Sequence, residues 1–65
     1  MIEVTEVRWL NYEKDYTIVL INPIHVISIS PMFSKDGKDW WVDCWKINCT
    51  GGFSYVVSEK DMRKF

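Results

Sequence analysis

The chain has 65 residues, 48% of them hydrophobic, and a formal net charge of −1. The hydrophobic content excludes a compositionally disordered chain, and the length predicts one small domain spanning residues 1–65, which the strand patterns below identify as a β domain. The near-neutral charge argues against duplex DNA binding, because that binding needs a basic face to neutralise phosphates.

The sequence predicts a cytoplasmic protein. Met1 leads directly into strand-like sequence, without the basic region and apolar run of a signal peptide. The longest apolar run, Ile18 to Ile21, is far too short to span a bilayer. Cys44 and Cys49 lie in one predicted strand, about 16 Å apart and facing opposite sides. We therefore expect two free thiols in a reducing compartment.

In chain order, the first half reads as three strands separated by turn residues. Residues 2–10 alternate between apolar and polar side chains, as a half-buried strand does. Residues 11–15 are polar and turn-like, and residues 16–21 are rich in β-branched side chains. Asn22-Pro23 breaks this run. The third strand is predicted from residue 24 or 26 to Pro31.

The second half reads as a hairpin pair followed by a helix start. Asp36-Gly37 is a strong signal for a two-residue hairpin turn, and the strand after it is predicted at residues 40–49. Gly51-Gly52 is a second turn of the same kind, followed by a strand at residues 53–57. Ser58 then predicts a helix N-cap, with acidic residues in the first turn.

These elements predict an all-β fold. It is a small antiparallel meander or a partly open barrel of about five strands, with a short C-terminal helix pinned to the sheet by Met62 and Phe65. Six apolar side chains are expected in the core: Ile18, Leu20, Ile27, Ile29, Ile47 and Val56.

The two predicted hairpins disagree about which face of the long strand is apolar. The first turn places Ile29 opposite Cys44, and the second places Ile47 opposite Val56. Apolar residues then favour even positions early in the strand and odd positions late. A bulge near Cys44 and Trp45, or a sheet buried on both faces, would reconcile the two.

The polar residues predict no catalytic, cofactor or metal site. His25 has no Ser, Cys or Asp at a recognisable spacing, which favours a surface histidine beside a turn. His25, Cys44 and Cys49 do not form a zinc pattern, and Cys44 is interpreted as a small core residue. Gly51-Gly52 lacks the residues that follow in a phosphate-binding loop. Three carboxylates lack calcium-loop spacing: Asp36, Asp39 and Asp43.

The tryptophans are the strongest indication of a binding surface. Trp40 and Trp41 are adjacent, so in a strand they point to opposite faces and at least one faces a second surface. Exposed Trp and Tyr side chains dominate protein–protein hot spots. The candidate partner-binding residues are Trp9, Trp40, Trp41, Trp45 and Tyr55.

Several segments together resemble a known family. They are Met1-Ile2-x-Val4-Thr5, Ile21-Asn22-Pro23, Val26 to Ile29, Ile47 before Gly51-Gly52, Phe53 to Val57, and Ser58-Glu59. This order resembles the small flagellar FlbD-like proteins and similar short β proteins of bacteria and phages, over most of the chain outside 7–16 and 34–43. The chain departs from them in its longer first segment and its tryptophans. The resemblance implies a small β protein and carries no functional residues over.

These observations lead to a non-enzymatic protein-interaction module, such as a small regulator or a phage-type inhibitor of a host protein. Its partner is another protein, itself, or both. A homodimer is favoured, because a small sheet has two open edges and two-fold pairing is the commonest oligomer symmetry. Trp40 or Trp41 is expected in that interface.

Two alternatives remain open. In a single-stranded nucleic-acid-binding module, Trp41 and Trp45 share parity and form a stacking platform. Its positive charge would come from Lys35, Lys38 and Lys46. The nearby aspartates would oppose phosphate binding. The other alternative is a small enzyme that uses Cys44 or His25.

Overall fold

Five antiparallel strands and one short helix form the part of the chain that a computed structural model describes, residues 1–32 and 43–65. The elements are β1 (Ile2–Leu10), β2 (Glu13–Ile21), β3 (Val26–Pro31), β4 (Cys44–Cys49), β5 (Ser54–Ser58) and α1 (Glu59–Met62). The predicted all-β fold with a short C-terminal helix is confirmed. The Asp36-Gly37 turn and the first residues of the predicted fourth strand, 40–42, lie outside the described residues.

The strands are ordered β2-β1-β5-β4-β3, so β2 and β3 lie at opposite edges although they are consecutive in the chain. Residues 22–25 alone join them, and Pro23–His25 form a 3-10 turn. The edge strands of a flat five-stranded sheet would be about 19 Å apart. The connection spans about 17 Å even when fully extended, and its turn shortens it. The sheet must therefore curl, although it does not close into a barrel.

The β1–β2 hairpin has a two-residue turn. Asn11 and Tyr12 have φ angles of 52° and 66°, as a type I′ turn requires. The strands pair without interruption from Ile2 opposite Ile21 to Leu10 opposite Glu13. The turn is thus shorter than predicted, and the charged residues 13–15 belong to β2.

The β4–β5 hairpin has a three-residue turn instead of the predicted two-residue turn. Thr50 to Gly52 form it, and the Cys49 N–H donates to the Phe53 carbonyl at 2.8 Å. The extra residue shifts the register by one, so the prediction for Ile47 was wrong: its partner is Tyr55, not Val56. Val57 is consequently buried, whereas Val56 is only half-buried.

The β3–β4 pairing also differs from the prediction. Ile29 lies opposite Ile47, not Cys44. The register shifts between Val26 and Ser28, which leaves Ile27 as an extra residue on β3. The predicted bulge near Cys44 and Trp45 is absent from the described pairing, since β4 pairs regularly with β5 from Cys44 to Asn48.

Both faces of the curled sheet bury apolar side chains: Val7 and Cys44 are buried on one face, and the main core lies on the other. Its buried cluster comprises Val4, Ile21, Ile47, Cys49 and Val57, and seven partly buried side chains pack against it: Ile2, Val19, Val26, Ile29, Tyr55, Met62 and Phe65. The predicted pinning of the helix by Met62 and Phe65 is therefore confirmed.

The core prediction was right for Ile47, which is buried, and for Ile29, which packs against the buried cluster. It was wrong for Ile18, Leu20 and Ile27, which are 67%, 57% and 68% exposed. On β2 the odd positions face inward, because Val19 and Ile21 pair with the inward residues of β1. The even positions then face outward.

The helix is attached to β1 by side-chain hydrogen bonds. Ser58 caps α1 as predicted, its Oγ accepting from the Asp61 N–H. Asp61 is buried, and its Oδ2 accepts from the Thr5 N–H at 2.8 Å. Lys64 Nζ lies 3.0 Å from Asp61 Oδ1 and donates to the Glu3 carbonyl at 2.9 Å. These side chains satisfy backbone hydrogen-bonding groups of β1 at the point where β5 has ended and α1 has begun.

This environment lowers the pKa of Asp61. Burial alone would raise the pKa of the carboxyl group, but the Thr5 N–H and the Lys64 ammonium favour the ionised form and outweigh that effect. The ionised carboxylate therefore contributes stability that is fully present above the unfolded pKa of about 3.9 and is lost as pH falls through the lower folded-state value.

We predict that Asp61→Asn lowers the free energy of unfolding at pH 7 by about 1–2 kcal/mol, and that the deficit shrinks as pH falls below about 4. Urea unfolding followed by tryptophan fluorescence between pH 7 and pH 2.5 would measure both effects. Glu59→Gln is the control, because its pair with Arg63 is exposed and should change stability by about 0.5 kcal/mol or less. A constant deficit at all pH values would contradict this role of Asp61.

A second prediction concerns the glycine turn. Gly52 has a φ of 81° and open space where a Cβ would lie, so alanine adds backbone strain without a collision. Gly52→Ala should cost about 1–2 kcal/mol in urea unfolding. Ser54→Ala, at an exposed strand position, is the control. Equal stability of the two variants would show that the turn relaxes to another geometry.

Candidate binding surface

Among the described members of the predicted aromatic site, Trp9 lies on the opposite face of the sheet from Trp45 and Tyr55. Trp40 and Trp41 lie outside the described residues. Trp9 is half-buried, with Lys14 Nζ 5.5 Å from its ring centroid. Trp45 is half-buried on β4, opposite Val57.

Trp9 and Trp45 point to opposite faces of the sheet. Glu6 and Trp45 both pair with Val57, so these three residues share a face. Trp9 lies three residues beyond Glu6 on the same strand and therefore faces the other way.

A cavity of about 400 Å³ lies where the β2–β3 connection meets the β4–β5 hairpin. Its apolar lining includes Met1, Leu20, Phe53 and Tyr55. Met1 and Phe53 are 79% and 64% exposed, so apolar surface is open to solvent at the mouth. Tyr55 is the one predicted partner-binding residue, among those described, that lines this cavity.

The rim of the cavity carries polar groups that hold its two loops in place. Asn22 Oδ1 accepts from the Ile24 N–H at 3.2 Å and caps the 3-10 turn. His25 Nδ1 lies 3.3 Å from Thr50 Oγ1 and links the turn to the glycine hairpin. His25 is exposed beside a turn, as the sequence predicted. Its observed contact is therefore structural.

An exposed apolar stripe runs along β2 into the cavity. Tyr16, Ile18 and Leu20 are 60%, 67% and 57% exposed and share the outward face of this edge strand. Leu20 also lines the cavity, so the stripe and the cavity form one continuous surface. Sequence analysis missed this surface because it placed Ile18 and Leu20 in the core. The Asn11 turn, had it been assigned, would have indicated the register that turns them outward.

Both cysteines are free and buried, as predicted. Cys49 belongs to the core cluster and lines the cavity floor. Burial raises the pKa of the Cys44 thiol, Lys14 partly offsets this, and Asp43 raises it further. Such a thiol stays protonated near neutral pH and is a weak nucleophile.

The described residues, 1–32 and 43–65, contain neither a metal-ligand cluster nor a membrane-spanning helix. No group of three or more His, Cys, Asp or Glu side chains there is arranged to hold a metal ion. No helix within these ranges is long and apolar enough to cross a membrane.

Comparison of the chain with protein-family models, curated proteins and solved structures found no match. The resemblance to FlbD-like proteins therefore stays a prediction.

We predict that Cys44 reacts slowly with DTNB in the native protein. In Cys49→Ser, which isolates this thiol, the rate at pH 7.5 should be about tenfold or more below that of a free model thiol. Unfolding the wild-type protein in urea without reductant should release two thiols per chain. Rapid native modification of Cys44 would instead indicate an activated nucleophile and support the enzyme alternative.

Proposed function

We propose that the protein is a non-enzymatic protein-interaction module that binds an apolar segment of a protein partner in the cavity. The observation that carries this proposal is the exposed apolar lining, formed by Met1, Leu20 and Phe53, beside a cavity deep enough to reach the core residue Cys49. Contiguous exposed apolar surface of this kind marks binding sites in soluble proteins.

The free energy gained by burying apolar surface favours an apolar side chain of the partner as the group that enters the cavity. Complete burial of a side chain such as Phe53 or Leu20 contributes roughly 1.5–3 kcal/mol. Asn22, His25 and Thr50 surround the mouth with polar groups, and an apolar centre with a polar rim is the common organisation of protein interfaces. The finer role, a small regulator or a phage-type inhibitor of a host protein, is part of this proposal.

The described residues offer less support for the two alternatives. Trp45, one member of the predicted stacking platform, is half-buried on the core side of the sheet, and Trp41 lies outside the described residues. Of the two candidate catalytic residues, Cys44 and His25, His25 alone lies at this cavity.

We predict that Phe53→Asp strongly weakens capture of the partner. Affinity capture with immobilised protein, quantified by mass spectrometry, should show a loss of about thirtyfold or more for any specific partner, as expected for a hot-spot residue. Ile24→Asp is the matched control, since Ile24 is 78% exposed and does not line the cavity. A partner retained by Phe53→Asp, or lost equally in both variants, would contradict the proposal.

An oligonucleotide titration tests the main alternative. Tryptophan fluorescence should stay unchanged when oligo-dT is added at low salt, because the described indoles are half-buried. Saturable quenching would favour base stacking and single-stranded nucleic-acid binding instead.

A further inference from the structure

We infer that strand β2 is a pairing edge for a second copy of this chain. Two β2 strands would pair antiparallel about a two-fold axis at Ile18 and join the two sheets into one. This inference names an occupant for the apolar stripe, Tyr16, Ile18 and Leu20, and so rests on the proposal that this surface binds protein.

The two edges of the sheet differ in how well they are protected. β3 carries an extra residue at Ile27 and a proline at Pro31, both of which disfavour pairing with another strand. β2 pairs with β1 regularly along its whole length and contains no proline or bulge. Its charged residues are confined to the hairpin end, at 13–15. Of the two described edges, β2 is therefore the open one.

Within residues 1–32 and 43–65, the backbone groups of β2 that have no strand partner belong to the residues whose side chains form the stripe. In a hairpin with a two-residue turn, the closing pair, Leu10 and Glu13, exchanges two hydrogen bonds, and every second pair does the same. The odd residues of β2 therefore bond to β1. Tyr16, Ile18 and Leu20 direct their N–H and C=O groups toward the open edge, where a second strand can use them.

The sequence of β2 is self-complementary about Ile18. An axis there sets Ile18 opposite its own copy and Tyr16 opposite the partner's Leu20, so apolar side chains meet along the stripe. The charged residues 13–15 fall opposite residues 21–23 of the other copy, away from their own equivalents. An axis at Lys14 or Asp15 would instead set like charges directly opposite each other, which is unfavourable.

The same register extends the cavity. The partner's Tyr16 and Lys14 would lie opposite Leu20 and Asn22, which both line the cavity. The second copy then adds to the wall of each cavity without entering it. A dimer of this kind leaves two equivalent cavities for a foreign partner. Dimerisation and partner binding can therefore be measured separately.

Sedimentation velocity on the wild-type protein should show a reversible dimer at tens of micromolar. Ile18→Lys sets two ammonium groups against each other on the axis and should raise the dissociation constant by about thirtyfold or more. Ile24→Lys, a charge change at an exposed position off β2, should leave it unchanged. Circular dichroism and tryptophan fluorescence confirm that each variant is folded.

Disulfide trapping tests the register. Tyr16→Cys and Leu20→Cys should cross-link under mild oxidation when mixed, since the axis at Ile18 sets these positions opposite each other within disulfide reach. Each variant alone should cross-link far more slowly, because the two copies of the same cysteine lie four residues out of register in this dimer.

A wild-type protein that stays monomeric at about 100 μM, or a dimer equally sensitive to Ile18→Lys and Ile24→Lys, would overturn the inference. Cross-linking of Tyr16→Cys alone as fast as the mixture would overturn the register. A monomer that still captures a partner through Phe53 would overturn the dimer and leave the proposed function standing. A dimer that depends on Ile18, in a protein that captures no partner through Phe53, would support the dimer and overturn the proposed function of the cavity.

Discussion

The connection at residues 22–25 carries the chain from one edge of the sheet to the other, and the curvature that it imposes organises the rest of the molecule. Because the edge strands must approach each other, the inner face becomes concave and collects apolar side chains from both sheet halves. The same approach places the 3-10 turn beside the glycine hairpin, where His25 and Thr50 meet. The cavity is thus a consequence of a short connection.

Two local irregularities adjust the pairing to this curved sheet. The three-residue turn at Thr50–Gly52 places Tyr55 opposite Ile47, and the extra residue at Ile27 brings Ile29 to the same partner from the other side. Ile47 is then covered by both neighbouring strands and is fully buried. Each irregularity is a single residue, yet each decides which face of a strand enters the core.

The C-terminal helix completes the sheet with side chains. β5 gives way to α1 before it reaches the start of β1, which would leave backbone groups of Glu3 and Thr5 without strand partners. Asp61 and Lys64 take the place of those partners. A four-residue helix is too short to be stable alone, so these bonds and the packing of Met62 and Phe65 hold it in place. The helix and the edge of β1 stabilise each other.

Much of the local structure could be read from the sequence. Alternation with period two located the strands, and Ser58 located the start of the helix. The separation and opposite parity of Cys44 and Cys49 predicted two unpaired thiols. Of the described residues that the sequence nominated for partner binding, Tyr55 is the one that lines the cavity. These features depend on near neighbours in the chain, whose geometry the backbone restricts strongly.

Tertiary structure decided the strand register, the face that each strand turns toward the core, and the exposed apolar surface. Alternation requires Ile18 and Val19 to face opposite sides, but it does not say which side is the core. The pairing of Val19 and Ile21 with Val4 and Ile2 made that choice and left Ile18 and Leu20 exposed. The length of a turn and the position of a bulge shift whole strands by one residue at a small energetic cost. Which arrangement buries the most apolar surface depends on strands that are distant in the chain, and only the folded sheet brings them together.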